Sequence, residues 1–127
     1  MIAGIGIDLV DIARVERMIA DKGARVLEKL FTENEVAYAM GRARPAMHLA
    51  ARLAAKEAAF KALAGSDDAR LIGWREVEVV ARDGHSPLLV LTGRADTRAR
   101  ELGIQHLWIS LTHTDSAAAA TVVLERA

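Results

Sequence analysis

Three charged residues crowd the apolar side of one segment, and their spacing is the first sign of chemistry. In RLAAKEAAFKAL (residues 52–63), Lys56, Glu57 and Lys61 stand among alanines beside Leu53, Phe60 and Leu63. At about 100° per residue, Leu49, Leu53, Phe60 and Leu63 share one stripe, and Lys56 falls inside it. Glu57 and Lys61 lie together on its flank, near the small Ala50 and Ala54. An amphipathic surface helix keeps its charges opposite the apolar stripe, and an unpaired ammonium out of water is costly. Two readings stay open. Lys56 snorkels to the surface on its own stem, leaving Glu57 and Lys61 as an exposed i,i+4 pair, or a buried ligand completes the charges.

Asp8 ends the stretch GIGID, whose glycines let backbone or ligand come close. Asp8 and Glu57 read as the two acidic residues set in apolar strand or helix surroundings. Brought together, they would offer hard oxygen ligands suited to Mg²⁺, which takes one or two protein carboxylates plus substrate phosphates. Lys56 and Lys61 would then face phosphate oxygens. Taken alone, a residue such as Asp8 is more often a helix-start or turn carboxylate than a ligand. His113, closing SLTH, is a phosphate donor, a general base or a polar strand-end residue.

Other chemistries are excluded. A dinucleotide fingerprint would need glycine at position 9, where Leu9 stands, followed by a parallel βαβ unit. No nucleophile elbow surrounds Ser110. His48, His85 and His106 lack zinc-ligand spacing. The absence of cysteine removes disulfides, thiolate metal sites and a cysteine nucleophile.

The elements that must position these residues follow from patterning. A chain of 127 residues is expected to form one domain spanning 1–127. Seventeen basic residues balance seventeen acidic ones, so no net field favours nucleic acid or an anionic membrane. Arginine outnumbers lysine thirteen to four, which favours bidentate contacts to phosphate or carboxylate. No apolar run spans a bilayer and no signal peptide is evident, so a soluble, cytoplasmic protein is expected.

The β-branched, glycine-spaced segment 2–10 predicts a strand, and 11–20 a short helix stopped by DKG. Thr32 followed by Glu35 predicts a capping box and a helix ending near Gly41. A long helix starts after Pro45 and stops at Gly65. Two strands flank an Asp-Gly turn within 74–93, a helix covers 94–102, and strands within 104–113 and 117–125 close the chain. Hairpins separated by helices imply an α+β protein with a mostly antiparallel sheet and one long helix. Residues 117–124 are apolar on both strand faces, and a subunit interface is a reasonable cover for the second face.

Three motifs in this order resemble the holo-acyl-carrier-protein synthase family, the small phosphopantetheinyl transferases. GIGIDLVDIARVERM resembles its opening G-x-G-x-D-(5)-R, with Gly4, Gly6, Asp8 and Arg14. ARLAAKEAAFKAL resembles its R-(3)-K-E-A-(3)-K signature through Arg52, Lys56, Glu57 and Lys61. ISLTHTDSAAAATVVLER resembles its closing S-[LI]-[ST]-H segment and alanine-rich strand.

The resemblance implies the 4′-phosphopantetheinyl transferase fold, a homotrimer with active sites between subunits, and a role in fatty acid biosynthesis. It implies Mg²⁺-dependent transfer of 4′-phosphopantetheine from coenzyme A to a serine of apo-acyl carrier protein. By matched position, Asp8 and Glu57 would hold the metal and Arg52, Lys56, Lys61 and His113 would line the coenzyme A site. Lys61 would stabilise charge gathering on the pyrophosphate. Arg14 would face the acidic carrier protein. Two loops depart from the pattern: AGSDDARLIG replaces a Gly-Thr-Gly type loop, and GHSP is one residue longer than Gly-x-Pro. A rival from another class, a coenzyme A- or nucleotide-binding trimer without transferase activity, would keep the basic helix and lose a metal carboxylate. Both carboxylates are present.

Overall fold

Alternation along residues 2–11 sends every second side chain toward one long helix, and the remaining elements assemble around that contact. The computed structural model describes residues 1–127. In chain order it comprises strand β1 (Ile2–Asp11), helices α1 (Ile12–Lys22), α2 (Ala24–Leu30), α3 (Glu33–Met40) and α4 (Pro45–Leu63), strands β2 (Val77–Arg82) and β3 (His85–Leu91), helix α5 (Gly93–Glu101), and strands β4 (Ile104–His113) and β5 (Ala117–Arg126). Short 3-10 turns occupy Asp68–Leu71 and Trp74–Glu76.

The α+β expectation holds, and every strand pair is antiparallel. The strands form two sheets rather than one: β1-β5-β4, with β5 central, and the hairpin β2-β3. Thr32 and Glu35 make the expected capping box at the start of α3. Helix α2 was not foreseen, because seven residues hold too little periodicity to stand out.

α4 lies across the inner face of the three-stranded sheet, against Ala118, Ala120, Val122 and Leu124, all buried. The apolar stripe expected on α4 underestimates its burial. Residues 49–56 are buried without interruption, because α1, α3 and β2 cover what the sheet does not. Its alanines suit so crowded a helix. β1 approaches so closely that a Cβ on Gly6 would sit 1.8 Å from the Ala58 carbonyl oxygen, and one on Gly4 2.2 Å from that of Ala62.

The outer face of the sheet is apolar and open. Ile5, Ile7 and Leu9 are 66, 66 and 67% exposed, and Trp108 is 57% exposed. Val123 pairs with both Ile5 and Trp108 at the centre of this face. No helix of the chain is long and apolar enough to cross a membrane.

Candidate active site

The register of β1 turns Asp8 inward, on the same side as Gly6 and Val10, where it meets the α4 turn carrying Glu57 and Lys61. Lys61 Nζ donates to the Ile7 carbonyl at 2.9 Å and to Asp8 Oδ1 at 3.1 Å. Asp8 Oδ2 is buried and has no hydrogen-bond partner. Burial raises the Glu57 pKa most, the neighbouring Asp8 carboxylate adds to this, and it reaches about 7 although Arg14 and Lys61 oppose the shift. Arg14 Nη2 stands 3.9 Å from Glu57 Oε1, with half of the arginine side chain in solvent.

Two carboxylates forced together, one with an orphaned buried oxygen, fit a divalent cation. No cluster of three His, Cys, Asp or Glu side chains exists. Two oxygen ligands with open positions match Mg²⁺, which keeps waters or substrate phosphates, better than zinc, which favours three or four nitrogen or sulfur ligands.

A second cluster is cationic. Arg52, on α4, and His113, at the end of β4, line a cavity of about 210 Å³ together with Tyr38, His48, Arg82 and His85. The Arg52 guanidinium stacks 4.2 Å from the Tyr38 ring centroid and donates to the His48 carbonyl at 3.2 Å. Its Nε is buried with no partner. Burial lowers the pKa of His48 most, and Arg52, Arg42 and His113 lower it further. A concave site with an unsatisfied donor and several positive neighbours suits a phosphate group.

The two clusters are separate within one chain. Asp8 is on β1 and His113 on β4, with β5 between them, a spacing of roughly 10 Å at about 4.8 Å per strand. Asp8, Glu57 and Lys61 thus gather at one place in the chain, and Arg52 and His113 at another.

Lys56 requires a correction. Neither snorkelling nor facing substrate phosphate describes it, because its side chain is fully buried. Its ammonium is 2.7 Å from Glu35 Oε1 and donates to the carbonyls of Trp74 at 2.8 Å and Val77 at 2.5 Å. An ammonium has three protons, and all three are used inside the protein. Desolvation lowers its pKa and Glu35 counters that shift.

Glu35 is a buried acidic residue that the sequence pattern does not single out beside Asp8 and Glu57. Its Oε1 also accepts from the Thr32 amide at 2.9 Å and its Oε2 from that of Val79 at 3.0 Å. The capping-box motif located Glu35, but nothing in it signalled a second partner 21 residues along the chain. Tyr38, His48, Arg82 and His85 were missed because residues from α3, α4 and the β2–β3 hairpin meet only in the folded chain.

Residues 4–122 match the 4′-phosphopantetheinyl transferase superfamily. The chain belongs to that superfamily. It is 48% identical to the holo-[acyl-carrier-protein] synthase of Thermus thermophilus over 126 residues, covering 98% of this chain and 94% of the relative. A crystal structure of the Neisseria meningitidis holo-[acyl-carrier-protein] synthase superposes with a TM-score of 0.86 at 26% identity, covering 99% of this chain and 100% of that one. The Bacillus anthracis holo-(acyl-carrier-protein) synthase, in complex with CoA (3′,5′-ADP), superposes with a TM-score of 0.79 at 32% identity, covering 100 and 99%. The family thus agrees with the one that the three sequence motifs resemble.

Proposed function

We propose that this chain works in the cytoplasm as a Mg²⁺-dependent homotrimer, with coenzyme A held between subunits. Its reaction is the transfer of 4′-phosphopantetheine from coenzyme A to a serine of apo-acyl carrier protein. The serine oxygen bonds to the phosphorus bearing pantetheine, the pyrophosphate P–O bond breaks, and adenosine 3′,5′-bisphosphate leaves. The observation that carries the proposal is the orphaned Asp8 oxygen beside Glu57. Phosphoryl transfer depends on positioning and charge neutralisation more than on covalent help from the protein. Bound between Asp8 and Glu57, Mg²⁺ would supply neutralisation at the pyrophosphate. Two of the Lys61 protons hold β1, and the third is free for a phosphate oxygen. Arg52 and His113 would hold a phosphate of the nucleotide, and Arg14, with Arg17 on the same helix, would face the acidic carrier.

Asp8→Asn and Glu57→Gln should each lower transfer by about a thousandfold or more while the protein stays folded. Mass spectrometry of apo carrier protein incubated with coenzyme A and Mg²⁺ reads this directly. Wild-type activity in either variant at limiting Mg²⁺ would end the metal assignment. Metal binding must displace the Glu57 proton, so calorimetric Mg²⁺ affinity should fall as pH drops below about 7 and level off above it. In the same transfer assay Arg14→Ala should raise KM for the carrier and spare that for coenzyme A. The reverse pattern would move Arg14 to the nucleotide.

The trimer is supported by the open apolar sheet face and by the separation of the cationic pocket from the carboxylates, which a neighbouring subunit would bridge. Val123→Asp places a charge on the outer face and should yield a folded, smaller species with little activity. Val122→Asp points at α4, where Val122 is fully buried, and should unfold the subunit. Light scattering coupled to size exclusion decides the matter. A wild-type mass near one subunit with full activity would end the trimer proposal.

A further inference from the structure

Residues 64–73 link α4 to the short turn at Trp74–Glu76, and both ends of this segment are tied to α5. At the near end, Arg98 donates from Nε to the Leu63 carbonyl at 2.8 Å and from Nη2 to the Ala64 carbonyl at 3.1 Å. These are among the terminal carbonyls that α4 cannot satisfy internally. The guanidinium is steadied by Glu101 at 3.3 Å. Beside it Gly65 has φ +119°, and a Cβ there would lie 3.1 Å from Arg98 Nη2. At the far end, Glu76 accepts from the Gly73 amide at 2.6 Å and the Arg94 amide at 2.5 Å. A Cβ on Gly93 would sit 1.9 Å from Glu76 Oε2, so the carboxylate occupies the space that glycine leaves at the start of α5.

Between these ties the segment walls a cavity of about 680 Å³, lined by Phe60, Ala64, Gly65, Arg70, Ile72 and Trp74 among others. The Phe60 and Trp74 rings meet edge to face at 5.0 Å. Phe60 and Lys61 share the last turns of α4 with Glu57, and Ala64 follows the end of the helix in extended backbone. The cavity therefore begins at Phe60, the residue next to Lys61 in the chain.

We propose that Arg98 is a positioning residue for the coenzyme A donor, which it serves by gripping the end of α4 and fixing the loop wall beside Lys61. The proposal rests on the transferase reading above. Arg98 touches neither carboxylate, and Glu76 holds only the far end. Losing Arg98 therefore frees the turn at 64–66 while the buried body of α4 stays in place.

The test compares Arg98→Met with Arg98→Lys, which keeps one carbonyl contact. Arg98→Met should weaken coenzyme A binding by calorimetry about tenfold and raise KM for coenzyme A in step. KM for the carrier and kcat at saturating coenzyme A should stay within about twofold of wild type. Arg98→Lys should recover part of the loss. Hydrogen exchange should quicken across 64–73 and remain unchanged in β1 and β5. If Arg98→Met does not fold, Arg98→Lys and Glu76→Gln carry the same readouts with smaller changes. Unchanged coenzyme A affinity in the folded variants, with or without a looser loop, overturns the proposal. A wild type that binds coenzyme A but transfers nothing would end the transferase reading, and the calorimetric comparison would still judge Arg98.

Discussion

Gly6→Ala is expected to lower the melting temperature by roughly 10 °C and to cut transfer by more than tenfold even where the variant is folded. The added methyl would meet three backbone atoms of Ala58, its carbonyl oxygen at 1.8 Å, its carbonyl carbon at 2.7 Å and its Cα at 3.2 Å. A side chain could rotate away, but the backbone of a buried helix cannot. α4 must therefore shift off β1. That contact also joins Asp8 to the helix bearing Glu57 and Lys61, so the shift would break the Lys61 bonds to Ile7 and Asp8. Gly41→Ala is the control, since Gly41 has φ −82° and its Cβ would find nothing closer than 3.5 Å. Thermal melts and the transfer assay read both variants. Equal melting temperatures for the two would show that β1 and α4 are not held this tightly.

Lys56→Met is expected to cost about 3–5 kcal/mol, because it leaves the Glu35 carboxylate buried without its cation. For a domain of this size the loss corresponds to roughly 15 °C in melting temperature, a large share of total stability. Adding Glu35→Gln removes the stranded charge while keeping an oxygen for the Thr32 or Val79 amide, so the double variant should melt above Lys56→Met alone. The two singles, the double and wild type form a cycle whose coupling energy reports the pair. This outcome also separates a core role from a substrate role. A Lys56→Met protein that melts like wild type yet loses coenzyme A binding would return Lys56 to the phosphate site.

Glu57 and Lys61 show why part of the site was legible from order alone. Their i,i+4 spacing places them on one helix flank whatever surrounds that helix. The GIGID pattern likewise announced a strand able to approach something closely, and the structure identifies that something as the Ala58 and Ala62 turns of α4. Capping at Thr32 and Glu35, the proline start of α4 and the Asp-Gly hairpin were equally readable, because each depends on backbone groups a few residues apart.

Lys56 marks the limit of such reading. Local periodicity located it on the apolar stripe, and the partner that makes its burial tolerable, Glu35, comes from α3. The same holds for the cationic pocket, whose residues come from α3, α4, the β2–β3 hairpin and β4. It holds again for Arg98, whose value lies in carbonyls 34 and 35 residues away. Short-range spacing on a helix or strand is set by the geometry of the element itself. Whether a buried charge, an orphaned guanidinium or a loop end finds its partner depends on contacts between distant segments, and only the packed chain decides those.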